Sequence, residues 1–188
     1  MKKVIVFFAD GFEECEGLIV VDILRRAGIE VTTASVNGTL TVVSSHGIKL
    51  FADTLAENAD FESADMIVLP GGMPGTKNLA ESDLVRRQCL IFAERKMAAA
   101  ICAAPSVLAD LGILKGKNAT CFPGFEAHLI NGGASVSAAG VVSDGNIITG
   151  QALGSAIPFA LELVEKLTDQ KTADRISTSI HYGGKVPC

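Results

Sequence analysis

Three short, uninterrupted apolar runs, Val4–Ala9, Met66–Leu69 and Met97–Ile101, each lead into a turn and then a segment of helical spacing. A strand that is apolar along its whole length must be buried on both faces, and a helix after each strand lets the next one run parallel to it. Leu18–Ala27 carries helical spacing and stops at Gly28, and the β-rich stretch Glu30–Ser35 completes a first βαβ unit. Leu79–Glu94 reads as a second helix, and a third begins near Pro105, where a fixed φ suits a first turn. Ala119–Phe122 is strand-like, Val141–Ser143 and Ile147–Thr149 flank Asp144-Gly145 as a hairpin, and Ile157–Leu167 is a closing apolar helix with Pro158 in its first turn. Asn37-Gly38 signals a further hairpin, expected as an appendage at one sheet edge. The pattern predicts a mostly parallel sheet covered by helices on both faces, with ligands at the carboxyl ends of the strands. That directs attention to loops 10–16, 70–76 and 102–105.

No change of composition marks a linker, so residues 1–188 are expected to form one domain. A chain that is 48% hydrophobic and 20% charged can bury a large core. A net charge of -5 without clustered Lys and Arg gives no signal for nucleic acid or anionic lipid. The amino-terminal apolar run is broken by Asp10, Glu13 and Glu14 before it reaches signal-peptide length, which reads as a first buried strand. The longest uncharged run, Met97–Ala109, is too short for a bilayer and contains Pro105. The expectation is a soluble cytoplasmic protein without membrane contact. The five cysteines form no C-x-x-C pair and no zinc-spaced cluster, so neither a metal nor a disulfide framework is expected. An odd number of thiols fits a reducing compartment and leaves one or more of them free for chemistry.

The segment Ala100-Ile101-Cys102-Ala103-Ala104-Pro105 places a cysteine between small residues at the junction of a strand and a helix. This is the grammar of a nucleophile elbow, whose sharp turn exposes the side chain at a helix amino end. That position is expected to favour a thiolate. The same residues would also suit a small, inert, buried cysteine. Asp10-Gly11-Phe12-Glu13-Glu14-Cys15-Glu16 gathers four carboxylates after the first strand, suited either to proton transfer or to the acidic first turn of an ordinary helix. Leu69-Pro70-Gly71-Gly72-Met73-Pro74-Gly75 can turn backbone amides toward a developing negative charge, and it lacks nucleotide-site spacing.

Together, Gly11-Phe12-Glu13-Glu14-Cys15-Glu16, Val68-Leu69-Pro70-Gly71-Gly72 and Ala99–Pro105 resemble the DJ-1/ThiJ/PfpI family, with Asp22–Gly28 and Gly150–Leu167 extending the similarity over nearly the whole chain. The resemblance implies a flavodoxin-like, Rossmann-like three-layer α/β/α sandwich, assembled as a homodimer. It makes Cys102 the nucleophilic, oxidisable cysteine and Glu16 its carboxyl partner, with backbone amides of Gly71, Gly72 and Ala103 as oxyanion donors. Cys15, His46, Phe122 and Pro123 are implied near the pocket. Protease-like members carry a histidine after the cysteine; Ala103 stands there in this chain, so a Cys-His protease pair is missing. Phe122 stands where some relatives place a histidine before proline, and His46 where they place an arginine. His128 and His181 read as surface residues, Cys89 as helix packing and Cys188 as a terminal bystander. The charges of Asp22, Arg25 and Arg26 are expected to be available for pairing across a dimer axis.

Two functions fit this pattern. One is cofactor-independent catalysis on small aldehydes, dicarbonyls or glycated proteins, of the glyoxalase or deglycase kind. The other is oxidative-stress sensing or chaperone action through oxidation of Cys102.

Overall fold

The structure is a computed structural model that describes residues 1–183; Cys188 lies outside the described residues. In chain order the strands are β1 (Lys3–Phe8), β2 (Glu30–Ser35), β3 (Thr41–Val43), β4 (Lys49–Phe51), β5 (Thr54–Leu55), β6 (Met66–Leu69), β7 (Met97–Ile101), β8 (Asn118–Ala119), β9 (Ser135–Val136), β10 (Val141–Asp144) and β11 (Ile147–Gly150). The helices are α1 (Glu14–Arg26), α2 (Gly75–Glu81), α3 (Asp83–Arg95), α4 (Pro105–Asp110), α5 (Glu126–Asn131), α6 (Ala156–Leu167) and α7 (Gln170–Ser179).

The main sheet has the order β10-β11-β7-β6-β1-β2-β5. Every neighbouring pair is parallel except β10 with β11, which form the hairpin expected around Asp144-Gly145. Side chains of a strand alternate between faces, and the three apolar runs use this to supply two cores at once. Val4, Val6 and Phe8 pack with α1, α6 and α7 on one side, while Ile5, Phe7 and Ala9 pack with residues of α2, α3, α4 and α5 on the other. This is the predicted α/β/α sandwich. No helix among the described residues is long and apolar enough to cross a membrane.

Four local features differ from the sequence reading. The segment expected as one helix over Leu79–Glu94 is two: Ser82 adopts an extended φ/ψ of -78° and 112°, and its hydroxyl accepts from the Val85 amide at 3.4 Å to start α3. A serine N-cap at this point competes with helix continuation by satisfying an otherwise unpaired amide. Asn37-Gly38 does not close a hairpin with β2. The hairpin is β3 with β4, while Asn37 turns inward to accept from the Asp10 amide at 3.2 Å. Ala119–Phe122 is not a strand of the main sheet; Asn118–Ala119 pairs with β9, and Cys121 and Phe122 are extended coil alongside Cys102. A polar amphipathic helix, α7, follows α6, capped by Asp169 on the Thr172 amide at 2.7 Å.

Candidate active site

Cys102 occupies the turn between β7 and α4 with φ of 65°. That left-handed conformation crowds Cβ against the carbonyl and costs a non-glycine residue about 1–2 kcal/mol. Its surroundings hold it there. The Cys102 amide donates to the Gly150 carbonyl at 2.9 Å, its carbonyl accepts from the Phe122 amide at 2.7 Å, and the buried Ser106 hydroxyl donates to the Ala103 carbonyl at 2.7 Å. The side chain is half-buried, whereas Cys89 and Cys121 are buried and Cys15 is exposed; all four are free.

Glu16 reaches Cys102 because α1 begins at Glu14, earlier than the sequence spacing indicates. This puts Glu14 and Glu16 on the buried side of the first turn and Cys15 on the outside. The Glu16 carboxyl accepts from the Gly71 amide at 3.0 Å and lies beside the Cys102 thiol, close enough for each to shift the other's ionisation. The amides of Gly72 and Ala103 face the sulfur. Gly71 therefore fixes the carboxyl, while Gly72 and Ala103 point at the reacting atom.

Gly71 cannot be larger. A Cβ there would lie 2.5 Å from the Cys102 Cβ and 2.7 Å from Glu16 Oε2, wedging the pair apart. At Gly72, with φ of 87°, a Cβ would collide with the main chain of Phe12 and Glu13. The loop before α2 and the loop before α1 thus pack backbone against backbone, tied by the Glu13 amide donating to the Gly71 carbonyl at 2.9 Å.

Electrostatics couple the two acids. Burial raises the Glu16 carboxyl to about 7, with Cys102 and the Gly71 amide opposing the rise and the charge of Glu13 adding to it. The Cys102 thiol is pushed up to about 12, by burial first and then by the charge of Glu16, against the pull of the Gly72 and Ala103 amides. Two acids in contact resist losing both protons, so the pair releases one near pH 7 and holds the other. The helix amino end that the sequence offers to a thiolate is opposed here: α4 has six residues, and burial and then the charge of Glu16 push the Cys102 thiol up against the pull of the amides.

The other expected pocket residues are distributed unevenly. Phe122 and Pro123 are exposed beside the elbow. His46 sits in the turn between β3 and β4, two-thirds exposed, with Nδ1 at 2.9 Å from Glu14 Oε1 and 3.6 Å from Glu13 Oε2. Ser45 donates from its hydroxyl to Glu13 Oε2 at 3.2 Å. His46 and Ser45 therefore fasten the β3–β4 hairpin to the start of α1, and the donor atoms of Glu13, Glu14 and His46 all lie within 4.8 Å of one another. Cys15 faces solvent and Cys121 packs into the core on the opposite side of the sheet from the cluster that Cys102 touches. His128 and His181 are exposed, as expected, with His128 paired to Asp110 at 3.0 Å.

A parallel-sheet sandwich with a strained cysteine at a strand-to-helix turn and a carboxyl in contact with it defines a class of α/β proteins organised around an elbow thiol. The model of the DJ-1/PfpI family matches residues 2–166, and the chain belongs to that family. It is 37% identical over 182 residues to protein dj-1beta of Drosophila melanogaster, covering 95% of this chain and 96% of that one. It is 31% identical over 166 residues to a protein of Pyrococcus abyssi named as a deglycase, covering 88% and 99%. Among solved structures, an oxidised DJ-1 of Toxoplasma gondii superposes with a TM-score of 0.92 at 35% identity, covering 97% of this chain and 100% of that one.

Proposed function

We propose that this chain is a cofactor-independent cysteine enzyme acting on reactive dicarbonyls or on the glycated adducts they form. The observation that carries the reading is the contact between Glu16 and a Cys102 held at φ of 65° on the elbow. The deglycase name of the archaeal relative supports the same class of substrate. With methylglyoxal, the Cys102 sulfur adds to the aldehyde carbon to form a hemithioacetal, whose oxygen takes hydrogen bonds from the Gly72 and Ala103 amides. Glu16 removes the proton from that carbon and returns it to the neighbouring carbonyl carbon, which converts the adduct to a lactyl thioester. Water then cleaves the thioester, releasing lactate and restoring the thiol. Carbon is oxidised at one centre and reduced at the next, so no external redox partner enters.

A second reading, sensing of peroxide by oxidation of Cys102, draws on the half-exposure of that thiol and on the oxidised form of the Toxoplasma relative. Lactate formation from methylglyoxal by the wild type, Cys102→Ser and Glu16→Gln, paired with mass measurement of peroxide-treated protein, separates the two. Turnover that both substitutions suppress supports the enzyme; stoichiometric gain of oxygen at Cys102 with no turnover supports the sensor.

We also infer a single cytoplasmic domain that associates as a homodimer. The pairing of Asp22, Arg25 and Arg26 across a dimer axis is not part of this inference, because Arg26 pairs with Asp22 at 2.7 Å and Arg25 with Asp53 at 2.9 Å within the chain. Light scattering at micromolar concentration is expected to give twice the monomer mass.

A further inference from the structure

Glu13 and Glu14 adjoin in sequence, and both carboxylates meet a ring nitrogen that arrives from another loop. Glu13 is the extended residue before α1, at φ of -77° and ψ of 109°, while Glu14 opens the helix. That break in conformation lets both side chains face the turn between β3 and β4. Glu13 makes no side-chain bond to the amides of the helix it precedes, so its carboxylate is not used for capping. His46 Nδ1 lies 2.9 Å from Glu14 Oε1 and 3.6 Å from Glu13 Oε2. The Ser45 hydroxyl lies 3.2 Å from Glu13 Oε2 and 3.5 Å from Glu14 Oε2. Ligand atoms around a tetrahedral zinc ion, bound at about 2.0–2.1 Å, stand about 3.3 Å apart, so an ion needs only small side-chain shifts to enter. Spacing in the sequence hides such a set, since its donors are two adjacent residues and a distant turn.

Charge points the same way. The Glu14 side chain is 9% exposed and that of Glu13 15%, and among the described residues neither forms an ion pair with a lysine or arginine. One imidazole carries at most one positive charge against two carboxylates. Carboxylates so enclosed are stabilised by a cation or a metal, because a bare charge away from water is costly.

The donors are also held in place. The Ser45 amide donates to the Phe12 carbonyl at 2.8 Å and the Gly11 amide to the Val43 carbonyl at 2.7 Å. The turn that carries His46 closes on the Ser44 hydroxyl, which accepts from the Ile48 amide at 3.1 Å. Donors positioned by main-chain bonds need little ordering when an ion arrives. The imidazole is 67% exposed, which leaves a way in.

We propose that Glu13, Glu14 and His46 bind a divalent ion of the zinc class, with the Ser45 hydroxyl donating to a ligating carboxylate and water completing the tetrahedron. Nδ1 gives its lone pair to the ion and the ring proton resides on Nε2. One nitrogen with two carboxylates suits zinc and its first-row neighbours, whereas calcium takes six or more oxygens and magnesium an octahedron of them. The ion fastens the β3–β4 hairpin to the start of α1. It has no part in the chemistry at Cys102, so the inference stands apart from the enzymatic reading.

Calorimetric titration with Zn2+ alone, under reducing conditions, tests it on wild type, Cys102→Ser, His46→Arg and Glu13→Gln. Cys102→Ser removes the other place where sulfur and carboxylate meet. His46→Arg keeps a positive partner for the two acids, and with it the clasp of the hairpin, while removing the ligand. Wild type and Cys102→Ser are expected to bind one Zn2+ per chain with equal affinity. His46→Arg should weaken binding by at least about a hundredfold and Glu13→Gln by at least about tenfold. The urea midpoint should rise with Zn2+ in the first two proteins and stay fixed in His46→Arg. With Co2+ in place of Zn2+, visible bands of a four-coordinate oxygen and nitrogen site are expected, without a sulfur-to-metal band in the near ultraviolet. No binding by the wild type at millimolar Zn2+, full affinity in His46→Arg, loss of binding in Cys102→Ser, equal affinity for Ca2+ or Mg2+, or a sulfur-to-metal band would each overturn the proposal.

Discussion

Cys89 and Cys102 have thiols pushed to the same value, about 12, by different means. Cys89 is fully enclosed in α3, and burial alone raises it; nothing short of opening the core can bring it down. Cys102 is half-buried, and part of its rise comes from the charge of one neighbour, Glu16, opposed by two amides. The same acidity thus describes an inert thiol in one place and a proton-coupled one in the other. Reactivity resides in what can be moved, and only at the elbow is there a proton that a neighbour can accept or return.

The bluntest way to break the comparison is to remove each sulfur in turn. Cys102→Ser is expected to reduce lactate formation from methylglyoxal by at least about a thousandfold, because the nucleophile is lost. Cys89→Ala should change turnover by less than about twofold and lower stability by about 1 kcal/mol, read by urea denaturation.

Glu16→Gln tests whether the proton and the charge separate. The amide still donates a hydrogen bond toward the sulfur, so alkylation by neutral iodoacetamide is expected to persist, while turnover falls by about a hundredfold or more for want of a proton carrier. In the wild type, alkylation against pH should rise through the pair's first ionisation near 7. Glu16→Asp, with a shorter reach, should be weaker in both measurements. An unshifted alkylation profile together with full turnover in Glu16→Gln would reduce Glu16 to an ordinary acid of a helix first turn.

The raised carboxyl also sharpens the comparison through stability. Glu16 ionises at about 7 in the folded chain against 4.5 when unperturbed, so between those values the folded state holds the extra proton. That contribution is complete below 4.5 and is lost as pH rises through 7, which makes the protein less stable at pH 8 than at pH 5 by about 3 kcal/mol from this group. Glu16→Gln should flatten this part of the profile in urea titrations at the two pH values. The depressed carboxyls of Asp53 and Asp65 act below their ordinary range and leave this window untouched. At Gly71 the test is steric: Gly71→Ala should cost about 1–3 kcal/mol of stability by overpacking. It should also slow turnover while leaving the exposure of Cys89 to alkylating reagents unchanged.

The sheet was legible because strands buried on both faces cannot hide: Val4–Phe8, Met66–Leu69 and Met97–Ile101 have no polar side chain to give them another reading. Cys102 could be read as an elbow for a related reason, since small neighbours at 100, 103 and 104 are what a tight turn needs. What escaped was decided by single hydrogen bonds or by distant partners. Ser82 splits a helix by capping one amide, and the inward turn of Asn37 toward Asp10 moves a hairpin. The start of α1 at Glu14 decides that Glu14 and Glu16, and not Glu13, are buried. The role of Gly71 in holding the carboxyl could not be read from a glycine-rich turn, because it depends on a residue 55 positions away. The raised thiol escaped for another reason: the sequence names the helix behind Cys102 and the carboxyl of Glu16, but not the burial that outweighs the helix amides.

At Gly71 and Gly72 the loops meet main chain to main chain, so mutation finds no side chain there to trim or enlarge by degrees. Any added side chain lands on the backbone of the other loop at Gly72 and on Cys102 and Glu16 themselves at Gly71, and is paid in full at once. Lineages descending from such a sequence are therefore steered away from these positions and toward their neighbours, Met73 and Phe122, whose side chains stand in water and can be exchanged in small steps. A site built this way would keep its reaction over long divergence while the surface around it drifts freely.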